Sequence, residues 1–158
     1  VNKIFEKKIF STLTPLAFDP AHPFPFLPNL SLSLVCSLKN KTGKTTYSLV
    51  ILPPKLKRFF KISKKEDSFV SSENIIKQNL ESIFPDYELA QYTFIRIIRD
   101  SDIEFEEEAE DLLLSFETAL KKRRRGEVVG LYVQGRVEKK LLNFLRKSLK
   151  VKDESIFA

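Results

Sequence analysis

The sequence predicts an α+β fold: a mixed β-sheet with an N-terminal hairpin and helices packed mostly on one face. Three observations carry this expectation. Leu30, Leu32, Leu34, Cys36 and Leu38 alternate with serines, and Tyr47, Leu49 and Ile51 alternate again after the turn residues Asn40, Lys41, Thr42 and Gly43. From Ser71 onward, stretches with helical spacing of apolar residues take turns with strand-like runs. A length of 158 residues with 42% apolar content is enough to bury the core of one domain.

The elements follow in order. Ile4, Phe5, Ile9 and Leu13 have helical spacing, and Pro15 ends the helix because it lacks an N–H and its ring clashes with the preceding turn. Residues 19–28 hold Pro20, Pro23, Pro25 and Pro28 among Phe24, Phe26 and Leu27, which forbids helix and favours a stiff extended chain. The alternating runs then form the antiparallel hairpin, interrupted only by Val35, and residues 58–63 are read as a third short strand. Ser71 or Ser72 caps a helix to about Phe84, where Pro85 closes it. Residues 87–99, rich in aromatic and β-branched side chains, form a long strand. Residues 100–111 include eight acidic residues and lead into Leu112, Leu113, Phe116, Ala119 and Leu120 at helical spacing. Acids at the start of that helix and Lys121, Lys122, Arg123, Arg124 and Arg125 at its end both suit the backbone dipole. Residues 128–133 are a further strand, 138–150 a helix with Leu141, Leu142, Leu145 and Leu149 inward, and 156–157 the start of a last strand.

Composition bounds the function classes. No run approaches the ~20 apolar residues of a membrane helix, and the first ten residues are charged throughout, so a soluble, cytoplasmic chain is expected. The single cysteine, Cys36, forms no internal disulfide and is read as a buried strand residue. There is no methionine, which suggests a piece of a longer polypeptide. A net charge of +6 favours polyanionic partners such as nucleotides, nucleic acid or polyphosphate.

The run Leu13-Thr14-Pro15-Leu16-Ala17-Phe18-Asp19-Pro20-Ala21-His22-Pro23-Phe24-Pro25-Phe26-Leu27-Pro28-Asn29-Leu30-Ser31-Leu32 is very similar to the opening segment of the polyphosphate kinase middle domain. Pro53-Pro54 with Arg58-Phe59, then residues 94–105 with Arg99-Asp100, then residues 106–114 resemble later blocks of that family in the same order. The resemblance implies that residues 1–158 are one domain, with N-terminal helical and C-terminal catalytic domains absent. It implies an enzyme that reversibly moves the terminal phosphate of ATP onto polyphosphate, using magnesium and phosphorylated histidines that belong to the absent domains. No catalytic, cofactor-binding or metal-binding residue is carried over, and neither ATP nor Mg2+ is expected on this domain. It further implies a head domain resembling the phosphohistidine-phosphatase-like fold, with contacts between the subunits of a dimer. Phosphatase chemistry does not follow from such a fold, since function depends on a site.

Several residues invite assignment. His22, the only histidine, has a side chain that can accept phosphate, but it stands in a proline-rich segment with Asp19 as its one obvious carboxylate neighbour, and is read as structural or as an interdomain contact. Arg96 and Arg99, on a strand, can pair bidentately with phosphate or with a carboxylate such as Asp100 or Asp102. Lys121, Lys122, Arg123, Arg124 and Arg125 either guide an anionic chain or are a solvated helix end. The acids Asp100, Asp102, Glu104, Glu106, Glu107 and Glu108 lack the spacing and glycine of a calcium loop. Lys41-Thr42-Gly43-Lys44-Thr45 lacks the upstream glycine of a phosphate loop and is read as turn chemistry. Phe24 and Phe26 either form a partner-binding ridge or cover the domain's own sheet.

The leading expectation is a structural and subunit-contact element of a polyphosphate kinase, inactive alone, whose partners are the other domains of the same kinase, a second copy in a dimer, and polyphosphate. The alternative is a free-standing basic module that binds polyphosphate or RNA. No aromatic-and-basic motif for specific nucleic-acid recognition is present.

Overall fold

The alternating runs of the sequence become the middle of a six-stranded sheet. The computed structural model describes residues 2–18, 24–63, 67–100 and 126–158. Its strands are β1 (Pro15–Phe18), β2 (Leu32–Lys39), β3 (Thr45–Ile51), β4 (Phe59–Lys61), β5 (Phe69–Ser71), β6 (Glu88–Arg99), β7 (Val128–Val133) and β8 (Ile156–Phe157). The helices are α1 (Asn2–Ile4), α2 (Ser72–Lys77), α3 (Leu80–Ile83) and α4 (Lys139–Leu149). The large sheet has the order β1-β3-β2-β6-β7-β8, while β4 and β5 pair separately. All neighbours are antiparallel except β7 and β8, so the sheet is mixed as expected. The expected helix through residues 112–120, with residues 121–125 at its end, lies outside the described residues. No helix among the described residues is long and apolar enough to cross a membrane.

The hairpin between β2 and β3 closes where the sequence placed its turn. Gly43 has φ +78°, a conformation that a residue without Cβ adopts freely. Asn40 Oδ1 accepts hydrogen bonds from Thr42 N (3.0 Å), Thr42 Oγ1 (2.7 Å) and Lys44 N (2.9 Å). These N–H groups are therefore consumed by the turn itself, as befits an Asx-type loop and not a phosphate cradle.

Where the structure departs from the sequence reading, local chemistry gives the reason. The N-terminal segment is helical only to Thr12 and changes pitch twice, from α1 to a π-helical turn (Phe5–Ile9) to a 3-10 turn (Phe10–Thr12). Pro15 then opens an edge strand, where its missing N–H costs no ladder bond. The helix expected from Ser71 to Phe84 is capped by Ser71, whose Oγ accepts from Asn74 N at 3.2 Å, but it divides into α2 and α3. Asn79 makes the break: its Nδ2 donates to Ile75 O at 2.8 Å, a bond that competes with helix continuation.

Most of the described helices lie on one face, as expected: α1, α2 and α3 pack on one side of the sheet and α4 on the other. Alternate residues of β2 and β6 serve two cores on opposite faces of the sheet. Leu34, Cys36, Leu38 and Phe94 pack with Phe5, Ile9, Ile75, Ile76 and Leu80. Val35, Ile95 and Ile97 pack with Leu141, Leu145 and Leu149 of α4. The sheet is thus a central layer, and its middle strands are buried on both sides.

The proline-rich segment is tied to the second of these cores. Phe24 meets Phe18 edge-on with ring centroids 5.2 Å apart, and Phe18 stacks with Phe144 at 5.7 Å. Tyr47 and Phe144 stack at 4.2 Å with nearly parallel rings. Phe24 therefore covers the domain's own sheet, whereas Phe26 remains 52% exposed.

Candidate functional site

Arg96 and Arg99 both belong to β6, yet they do different things. Arg99 is a strut. Its Nε donates to Leu27 O at 2.9 Å, its Nη1 donates to Gly126 O at 2.7 Å, and its guanidinium lies 4.6 Å from the Phe26 ring centroid. Its backbone N–H donates to Asn29 Oδ1 at 2.9 Å. One residue thereby fastens the proline-rich segment and the start of the β7 approach to the end of β6. Burial pushes its pKa below the ordinary arginine value, a direction that leaves a guanidinium charged at neutral pH. Pairing with Asp100 or Asp102 was the expected intramolecular role; Asp102 lies outside the described residues, and among those described backbone carbonyls take up the fork.

The Arg96 side chain has no hydrogen-bond or ion-pair partner among the described residues. It pairs in register with Leu32 of β2 and Tyr132 of β7 and is half-buried. Two clefts of about 450 and 420 Å³ meet there, both lined by Leu32, Arg58 and Arg96. Arg58 enters from the loop before β4. Its Nε and Nη2 donate to Glu73 Oε1 at 3.1 and 3.0 Å, and Ser72 Oγ donates to Glu73 Oε2 at 3.1 Å. The Glu73 side chain is 9% exposed and that of Arg58 57%, so a buried carboxylate holds an outward-facing guanidinium. Sequence reasoning did not find this pair, because fifteen residues separate its members and no local periodicity links them.

His22 and Lys121, Lys122, Arg123, Arg124 and Arg125 lie outside the described residues, as do Asp102, Glu104, Glu106, Glu107 and Glu108. Asp100 is described, at the end of β6, where its N–H donates to Glu127 O at 2.8 Å. Among the described residues, no group of three or more His, Cys, Asp or Glu side chains could hold a metal ion. These residues do not fit a magnesium site, and no step through magnesium is assigned to them.

Cys36 is fully buried in β2, as the sequence reading expected, and burial pushes its thiol from 9.0 up to about 12. Such a thiol is no nucleophile at neutral pH. The folded pKa is raised above the unfolded value, so Cys36 binds its proton more tightly in the native state. Its contribution to stability is fully present below about pH 9 and is lost as pH rises toward about 12. In urea titrations across that range, the stability of the parent chain should fall more steeply than that of Cys36→Ala. Equal slopes would show that the thiol titrates alike in both states.

The family model for the polyphosphate kinase middle domain matches residues 1–158. A polyphosphate kinase of Erythrobacter litoralis is 37% identical over 145 residues, covering 92% of this chain and 20% of that protein. One of Streptomyces coelicolor is 38% identical over 156 residues, covering 98% of this chain and 21% of that protein. The chain thus spans about a fifth of the length of these relatives. The crystal structure of polyphosphate kinase from Porphyromonas gingivalis superposes with a TM-score of 0.74 over 99% of this chain and 22% of that one, at 21% identity, a likeness of fold.

Proposed function

Because this chain belongs to the polyphosphate kinase family as its middle domain, we propose that residues 1–158 act as a single framework domain within a longer phosphotransferase. That enzyme moves the terminal phosphate of ATP reversibly onto polyphosphate with the help of magnesium, in the cytoplasm, and works as a dimer. The role of this domain is to position its neighbours and to contribute subunit contacts. Its own side chains perform no bond-making step.

One observation carries this reading: apart from Arg96, the side chains singled out above hold backbone, one another or the core. Arg99 fastens two loops, Glu73 fixes Arg58, and the Cys36 thiol is sealed in the core. Phosphoryl transfer requires a nucleophile, an in-line phosphate and stabilising cations converging on one point. No such convergence occurs among the described residues.

The test is direct. Residues 1–158, purified and incubated with ATP, Mg2+ and a polyphosphate primer, should leave the primer's length on a gel unchanged. Lengthening of the primer would overturn the framework reading.

A further inference from the structure

One groove is not accounted for by the domain's own packing. It runs across the face of the sheet that carries Leu32 and Arg96, between the turn before β2 and the loop before β4. Arg58, held from behind by Glu73, points into it with Nη1 free of partners among the described residues, and Arg96 stands in the same groove unpaired. Two guanidinium charges against one carboxylate leave a net positive charge in the groove, with Arg96 half-buried and Arg58 exposed. An incoming carboxylate would there meet guanidinium donors that pair bidentately with it.

The walls of the groove are apolar. Leu30, Leu52, Pro53, Pro54 and Leu56 line its first cleft, and Tyr132 borders the second. Leu30 has φ +59° and is 57% exposed, so a bulky side chain is held in a left-handed conformation and presented to the outside. That conformation costs about 1–2 kcal/mol for a residue with a Cβ. Tyr132, 45% exposed, stacks on Phe157 at 4.9 Å across the neighbouring strand. Inorganic polyphosphate requires cations along its whole length and has no use for such walls. A polypeptide with an acidic residue among apolar ones matches both the charge and the walls, and aromatic and arginine side chains dominate protein contacts of this kind.

We propose that this groove seats a segment of the polyphosphate kinase polypeptide from outside residues 1–158, which enters with an aspartate or glutamate carboxylate between Arg58 and Arg96 and with apolar side chains against Leu30 and Leu56. The proposal rests on the framework reading above. The occupant is drawn from the same kinase because about four-fifths of the length of the relatives lies outside the part this chain matches. Glu73 is a positioning residue here: it sets the direction of Arg58 and does not itself touch the guest.

The test uses the full-length kinase that carries this domain, with a photoreactive p-benzoylphenylalanine in place of Leu30. After illumination, mass spectrometry should find one cross-linked peptide from outside residues 1–158, with an acidic residue among apolar ones. Arg96→Glu should lower its yield at least about tenfold, the effect of losing ~1.4 kcal/mol of binding. Changing the acid of that peptide to lysine in the Arg96→Glu background should restore the yield, a rescue that mere misfolding would not permit. Scattered or absent cross-links, a peptide from within residues 1–158 of a second copy, or a yield indifferent to Arg96→Glu would each overturn the proposal. So would retention of labelled polyphosphate that depends on Arg96 without any peptide cross-link. The framework reading fails by another readout, primer lengthening by residues 1–158, so the two can be lost independently.

Discussion

Arg99→Ala is expected to remove about 2–4 kcal/mol of folding stability, although the side chain is neither in an apolar core nor in a catalytic site. The substitution deletes two hydrogen bonds from a charged donor, to Leu27 O and Gly126 O, each worth ~1.5–3 kcal/mol before relaxation. It also removes the contact with Phe26, worth ~0.5–1 kcal/mol at an exposed ring. Loosened loops recover part of this by turning their carbonyls to water. In a chain of this size the melting temperature should fall by roughly 5–15 °C. Arg99→Lys keeps the charge but not the planar fork, and should lose more than half as much. Thermal and urea unfolding of the three proteins measure the effect, and an alanine variant within about 0.5 kcal/mol of the parent would show that the strut carries no load.

Leu145→Ala should cost about 3–4 kcal/mol. Leu145 is fully buried at the centre of α4, where it packs with residues of the sheet and with Leu141 and Leu149. Truncation removes apolar contact and leaves a void that a helix fixed at both ends by its neighbours fills only in part. The urea midpoint should drop while the slope of the transition is kept, because the same surface is exposed on unfolding. The milder Leu145→Val should fall between the two. A loss below about 1 kcal/mol for alanine would mean that α4 is not seated on the sheet as described.

Much of the sheet was legible because its signals are local. The alternation from Leu30 to Leu38, the Asn40–Gly43 turn residues and the apolar run before Arg99 each sit within one element, and β2, β3, β6, β7 and α4 appear where those patterns fall. β1 was not legible: it is four residues long, begins with proline and buries only Phe18, so it has too little pattern to distinguish it from a loop. β5 was missed for the same reason, being three residues with none fully buried. The division of helices between two faces was signalled by Val35, the one apolar residue on the serine side of β2, together with Ile95 and Ile97. A single exception in an alternating strand reads as noise until its cross-strand neighbours are known.

The arginines mark the limit more sharply. Their position on a strand was evident, but their roles depend on partners far away in sequence. Arg99 reaches carbonyls of residues 27 and 126, and a carbonyl carries no side-chain signature. Arg58 depends on Glu73 across two intervening strands.

The burial of consecutive residues Leu34, Val35 and Cys36 on opposite sides has a last consequence. In a strand wetted on one side, sliding by one position is punished at once, since oily groups are driven into water. Here such a slide would merely exchange which interior each group enters, and water would scarcely register the error. Correct alignment must then be chosen by size and shape, and by the irregular step between Ser37 and Leu38 that interrupts the pairing with β6. Chains caught out of step would stay collapsed, with their secondary structure largely kept and their side chains loosely fitted.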